Sequence, residues 1–386
     1  MNSSNHRSAT IPTPLRLDAN PEYTGRGVTL AFLDSGFYPH PDLVTPDNRI
    51  VAYHDIAGER PSLVSDEETE GWQWHGTQTS VVAAGNGRLS DGLYRGLAHE
   101  SKLVLVKVSE RGRIAEENIA RGIEWVIANR ARYDIRVLNI SLGGDEDVPC
   151  SRSIIDQAAE EAIRHGIVVV AAAGNSGDSH SIPPANSPSV ITVGGYSDNN
   201  QLDRTRLDLY HSNFGVTADG TIKPEIIAPA MWIVAPVLPL QGYQHVDGTS
   251  FAAPIVASIA AQMIEANPTL TPGAIKNILV STADRIVTEP VVRQGYGIVN
   301  ARRAVELAKT EQHTLNVVGC KPPRVENGTL VFVYHDDHAD SVSVAGDFNG
   351  WNHATTPLKR NSSGLWTTEI VGPRAGRYEY KFVING

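Results

Sequence analysis

"GVTLAFLD", residues 27–34, is an unbroken apolar run that closes on a carboxylate. A strand with one face in water alternates polar and apolar side chains, so a run without alternation is expected of a strand covered on both faces. Similar runs recur in "KLVLVKVS" (102–109), "IRVLNISLGG" (135–144), "IVVVAAAGNSG" (167–177) and "SVITVGG" (189–195). Between them, "IAEENIARGIEWVIANR" (114–130) and "SIIDQAAEEAIRHG" (153–166) carry apolar residues at helical spacing, the second ended by Gly166. This alternation predicts an α/β domain with helices packed on a mainly parallel sheet. Ligands of such sheets gather beyond the carboxyl ends of the strands. Asp34, Ser141 and Asn175 stand at those exits.

The chain has 386 residues, enough for more than one domain, and its 41% hydrophobic and 20% charged residues suit a sizeable core. A net charge of -10 argues against a general nucleic-acid binder, which needs a basic face. No run reads as long and apolar enough to span a bilayer, so no membrane partner is expected. The first twenty residues lack an apolar core of the secretory kind, which reads as cytoplasmic. Cys150 and Cys320 are too few for a disulfide framework and read as structural thiols, one long-range disulfide being the alternative. Residues 1–24 are polar with several prolines and read as an arm laid on the surface, ahead of an α/β domain over 25–311. From 325 to 386 the pattern changes to short alternating strands ("LVFVY", "SVSVAG", "LWTTEI", "YEYKFVI") between Gly, Asn and Pro turns, which predicts a small all-β sandwich.

A serine hydroxyl attacks a carbonyl when a base takes its proton and an acid orients that base. Histidine suits the base because its pKa lies near neutrality. Asp34 ends a buried strand in "AFLDSG", and His75 opens "HGTQTSVVAAG" at an apparent helix start. Ser250, in "DGTSFAAP" (247–254), precedes the apolar helix "IVASIAAQMIEAN", where its N–H points outward with the positive end of the dipole. Asn175, in "AAAGNSG", offers a side-chain amide as a second donor to an oxyanion. Each piece has a plainer reading. Ser250 alone reads as a helix N-cap, and His75 alone as a capping or core histidine. "DSG" also marks aspartic proteases, but no second such triplet is present, nor any H-E-x-x-H or P-loop.

Together the pieces are specific, because the order Asp…His…Ser is one of the known chain orders of this constellation. With "AFLDSGFYPHPDL", "HGTQTSVVAAG", "VLNISLGG", "VVVAAAGNSG", "KPEIIAPA", "DGTSFAAPIVASIAA" and "GYGIVNARRAV" in sequence, residues 25 to about 310 resemble the subtilisin-like serine proteases. The resemblance implies a three-layer domain and a serine endopeptidase. In it Asp34 supports His75, His75 serves Ser250, and Ser250 forms an acyl-enzyme while Asn175 stabilises the oxyanion. It implies that Ser141, Leu142 and Gly143 pair with substrate backbone, as an added strand does. Ala172, Ala173 and Gly174 would form the floor and wall of the pocket for the side chain before the scissile bond, with Thr249 also touching substrate. The chemistry needs no cofactor. Family members often bind calcium, and "GNGRLSDGLYRG" (85–96) lies where one site often does, although its pattern differs. Three positions depart from the family: Gln78 and Ile255, where histidine is usual, and Ser258, where glycine is common.

"SDEETEGWQWHG" (65–76) and "GGDEDVP" (143–149) place acids on either side of these motifs. They read as solvated loops or as a negative rim that favours cationic peptides. "SVSVAGDFNGWN" and "GRYEYKFVING" resemble the glycogen- and starch-binding modules of the AMP-activated kinase β-subunit type, in which Trp351 and Lys381 match sugar-contacting positions. That implies an α-glucan partner, against a plain sandwich or protein contact in which Trp351 and Trp366 are core or interface. "HDDH" (335–338) reads as a solvated turn before a metal site. Two other readings of the first domain are a catalytically weak binding scaffold and a peptide ligase using the same triad.

Overall fold

Among the described residues, seven parallel strands form the central sheet of the α/β domain. They are β1 (Thr29–Asp34), β2 (Ile50–Asp55), β3 (Lys102–Lys107), β4 (Ile135–Ile140), β5 (Val168–Ala172), β6 (Ile191–Ser197) and β7 (Ile226–Pro229). In space they run β7-β6-β5-β4-β1-β3-β2, with Asp208–Leu209 added antiparallel to β6. This computed structural model describes residues 10–59, 62–63, 74–144, 148–203, 206–237, 242–311, 324–326, 329–335, 339–360, 365–371, 378 and 380–385. The chain divides into two compact units, Met1–Thr314 and Leu315–Gly386.

The apolar runs are continuous because the sheet is covered twice. Leu30, Phe32, Leu103, Leu105, Val137, Val168 and Val170 enter one core, which also holds Val81, Phe251, Ile255 and Ile259. The intervening Ala31, Leu33, Val104, Val106, Leu138, Val169 and Ala171 enter another, with Ile119, Ile123, Ile155 and Ala159. Period-two alternation is thus present, but it sorts side chains between two dry layers. The first layer holds helices α1 (Trp74–Ala84), α4 (Thr249–Ala266), α5 (Pro272–Ser281) and α6 (Ala301–Thr310), and the second α2 (Glu116–Tyr133) and α3 (Ile154–Arg164). Asp34 shares the parity of Leu30 and Phe32, and Asn139 that of Val137. Both therefore belong to the face on which α1 and α4 lie.

Two expectations are corrected, and one alternative reading falls. The Thr249–Ala266 helix does have the length and apolarity of a membrane span, but it is buried as a core helix. Within the N-terminal arm, the described residues 10–24 include buried side chains and are not merely laid on. Arg16 is buried, bonded to Asp198 at 2.8 and 2.9 Å and to the carbonyls of Met231 and Trp232 at 2.8 and 3.1 Å. Those carbonyls lead into a hairpin, β8 (Ile233–Val237) and β9 (Gly242–Val246), which the sequence reading passed over. Finally, Ser250 is not the cap of α4. Gly248 is, at φ 139 and ψ 156, a backbone conformation that L side chains rarely adopt. Cys150 is a free thiol, and Cys320 lies outside the described residues.

In the C-terminal unit β10 (Thr329–His335) pairs antiparallel with β12 (Leu365–Val371), and β11 (Val342–Gly346) with β13 (Tyr380–Ile384). Phe332, Val342, Val344, Leu358 and Trp366 form its core, consistent with a small β-sandwich.

Candidate active site

Strands β5, β4 and β1 are neighbours, so their carboxyl ends bring Asn175, Ser141 and Asp34 to one edge of the sheet. The order of strands reverses at β1, where parallel sheets open a crevice. Helix α1 begins beside it, with His75 as its second residue. Gly76 permits this approach, since a Cβ there would stand 2.3 Å from the carbonyl of Gly36 and 2.9 Å from the Cβ of Asp34.

Asp34 is 1% exposed. Its Oδ1 accepts from the Ser35 N–H at 2.7 Å and lies 2.7 Å from His75 Nδ1, while Oδ2 lies 3.2 Å from Thr79 Oγ1, whose one proton has both Oδ2 and the Gly76 carbonyl, at 3.1 Å, within reach. His75 and Thr79 are four residues apart and therefore share a helix face. A carboxylate only accepts, so Nδ1 of His75 carries the proton and Nε2 is left as the basic nitrogen. Burial by itself would lower the His75 pKa. The charge of Asp34 and its hydrogen bond outweigh that, and the result is raised above 6.5.

Helix α4 spends its first donors selectively. The Thr249 N–H donates to Asn175 Oδ1 at 2.8 Å, and the N–H groups of Phe251 and Ala252 reach the Gly248 carbonyl at 3.0 and 3.3 Å. Among the described residues the Ser250 N–H has no partner, although it lies in the first turn where backbone donors face outward. Thr249 Oγ1 also donates to Asn175 Oδ1, at 2.9 Å. With its oxygen held by two donors, the Asn175 amide has its NH2 end left over. Gly174 precedes it at φ 101, and a Cβ there would lie 2.8 Å from Asn213 Cγ. The Ser250 hydroxyl donates to the Ser141 carbonyl at 3.4 Å, and not to His75 in this rotamer.

Leu142 and Gly143 continue from Ser141 and are partly exposed, as are Ala172 and Gly174. Ala173 is fully buried and offers no surface to a ligand. Thr249 is also fully buried, and what it does here is brace Asn175. The three departures from the family pattern are packed. Gln78 Nε2 donates to the Pro236 carbonyl at 2.9 Å, Ile255 lies in the core, and Ser258 Oγ returns to the Ile255 carbonyl at 2.6 Å. Sequence reasoning missed Thr79, Gly76 and Asn139. For Thr79 the four-residue spacing from His75 was the available signal.

Among the described residues no group of three or more His, Cys, Asp or Glu side chains comes together to hold a metal ion, and two polar side chains at the 85–96 loop have protein partners. Asp42 accepts from Tyr243 Oη at 2.7 Å and from the Leu89 N–H at 3.3 Å, and Asn86 Oδ1 accepts from the Arg88 N–H at 3.0 Å. The acids at 66–70 and 145–147 lie outside the described residues, as do 336–338 of "HDDH". In the C-terminal unit Trp351 is 43% exposed, with Lys381 Nζ 5.9 Å from its ring centre, while Trp366 is buried.

Comparison with known proteins agrees with this architecture. The model of the subtilase family matches residues 25–298. That of carbohydrate-binding module 48 (isoamylase N-terminal domain) matches residues 317–386. Serine protease AprX of Bacillus subtilis (strain 168) is 38% identical over 310 residues, 73% of this chain and 67% of that protein. Subtilisin BL of Lederbergia lenta is 32% identical over 283 residues, 73% of this chain and 91% of that one. Among solved structures, a cold adapted subtilisin-like serine proteinase aligns with TM-score 0.54 and 27% identity, covering 73% of this chain and 89% of its own.

Proposed function

We propose, from the premise that this chain belongs to the subtilase family and is a subtilisin-like serine protease, that it is an endopeptidase working through Asp34, His75 and Ser250. The observation that carries this reading is the accounting at the start of α4, where, among the described residues, the one first-turn donor without a partner is the N–H of Ser250 beside the Asn175 amide. In this reading the Ser250 hydroxyl leaves the Ser141 carbonyl and turns to His75 Nε2. His75 takes the proton as the oxygen attacks the scissile carbonyl, and later gives it to the leaving amine. Negative charge then grows on the carbonyl oxygen, where the Ser250 N–H and Asn175 Nδ2 are the donors at hand. Collapse leaves an acyl-enzyme on Ser250, which water hydrolyses. Peptide backbone is held along Ser141, Leu142 and Gly143, and its side chain lies against Ala172 and Gly174.

A fluorophosphonate probe tests this. Wild type is expected to be labelled and to cleave a peptide library, and Ser250→Ala to do neither, with kcat down on the order of a million-fold. An unlabelled wild type, under conditions that label a known subtilase, would overturn the reading in favour of a binding scaffold. For the C-terminal unit the proposed ligand is an α-glucan stacked on Trp351 with Lys381 at its hydroxyls. The family match and the exposed indole face support it.

A further inference from the structure

Pro254 lies inside helix α4, four residues after Ser250. In a helix the carbonyl of residue i accepts from the N–H of residue i+4, and proline has none to give. Its ring also crowds that carbonyl, turning it away from the helix axis. The Ser250 carbonyl is therefore an acceptor without its helical donor, in a helix that is otherwise buried. Ser141 Oγ supplies the missing bond, donating to Ser250 O at 2.9 Å. Asn139 Nδ2 donates in turn to Ser141 Oγ at 2.9 Å. A carbonyl only accepts, so the single proton of the Ser141 hydroxyl is the one directed at Ser250 O, while the hydroxyl oxygen accepts from Asn139.

We infer that the Ser141 hydroxyl is a positioning residue for the nucleophile, standing in for the helix hydrogen bond that Pro254 removes. The inference rests on the reading of Ser250 as nucleophile. The carbonyl it holds belongs to the same residue whose hydroxyl attacks and whose N–H faces the oxyanion, so holding it constrains the backbone from which both project. A second observation marks the arrangement as built for geometry. Asn139 is 1% exposed on the central strand β4, and its Oδ1 finds no partner among the described residues. A buried orphan acceptor costs stability, and sites that tolerate one ask for an explanation. Here the other end of the amide donates to Ser141 Oγ.

The test is a double-mutant cycle read on a chromogenic peptide. Ser141→Ala removes only the hydroxyl and keeps the backbone proposed to hold substrate. It is expected to lower kcat about tenfold, the worth of one buried hydrogen bond, with KM within about twofold. Pro254→Ala returns an N–H to position 254, so in that background the same Ser141→Ala change is expected to cost no more than about twofold. Ser141→Thr, which keeps the hydroxyl, should retain most of the activity. Should Ser141→Ala fail to fold, Ser141→Cys keeps the volume with a weak donor and gives the same readout. An undiminished kcat in Ser141→Ala, or an equal loss with and without Pro254, overturns the inference. A wild type that neither labels nor hydrolyses overturns the protease reading instead, which keeps the two failures distinct.

Discussion

His75 stands between opposing effects, and their balance sets the pH range of activity. Burial disfavours the imidazolium, whereas the Asp34 carboxylate at 2.7 Å favours it through its charge and its hydrogen bond, and the pair leaves the pKa above 6.5. A general base works only when neutral. The expected kcat/KM profile therefore falls, as pH drops, through one ionisation above 6.5. Asp34→Asn removes both the charge and the acceptor for Nδ1–H. It is expected to move that limb to lower pH and to reduce kcat by roughly four orders of magnitude, because the tautomer is no longer enforced. Profiles measured for both proteins with one peptide decide this. An acid limb at the same pH in the variant would mean that Asp34 does not govern His75.

At the start of helix α3 the hydrogen bonds are incomplete. Ser153 caps it, its Oγ accepting from the Asp156 N–H at 3.1 Å. An acid at this third position commonly reaches back to the cap. Asp156 does not, and both its oxygens are buried without a partner among the described residues. Burial pushes its carboxyl up to about 7, with Asp219 and Glu160 adding to the effect and Ser153 and Lys223 opposing it. Because the folded value exceeds the ordinary 3.8, the folded state holds the proton more tightly than the unfolded chain. The stabilisation is complete below about pH 4 and is lost as pH rises through 7, up to about 4 kcal/mol for a shift of this size. Asp156→Asn stays neutral throughout. Compared with its parent in a Ser250→Ala background, which prevents self-digestion, it is expected to gain several degrees in Tm at pH 8 and little at pH 4. A Tm difference that does not change with pH would show that the folded protein holds the Asp156 proton no more tightly than the unfolded chain does.

Across the molecule, what was legible in sequence followed from burial. Strands covered on both faces leave apolar runs that need no partner to be recognised, and the rule for parallel sheets then picked out Asp34, Ser141 and Asn175 at their exits. What stayed hidden were pairings between distant segments. Ser141 meets Ser250 across 109 positions, and Arg16 reaches Asp198 across 182, with no local pattern to announce either. The same limit applies to the second unit, where composition identified alternating strands but not which tryptophan faces water. Burial separates them, since Trp366 is 7% exposed in the core and Trp351 is 43% exposed beside Lys381. Stacking on an aromatic face suits a sugar ring as it suits any flat apolar surface, and only an exposed ring can offer it. The full-length chain carrying Ser250→Ala is expected to be retained on an amylose matrix and released by soluble maltooligosaccharide. Trp351→Ala in that background should abolish retention, since the ring is the platform. The same substitution in the active chain should leave hydrolysis of a short peptide unchanged, because the two compact units each have their own core. If Trp351→Ala is retained as well as its parent, or the parent is not retained at all, the glucan contact is wrong and the exposed indole serves some other surface. A fall in peptide hydrolysis would instead mean that the second unit supports the first.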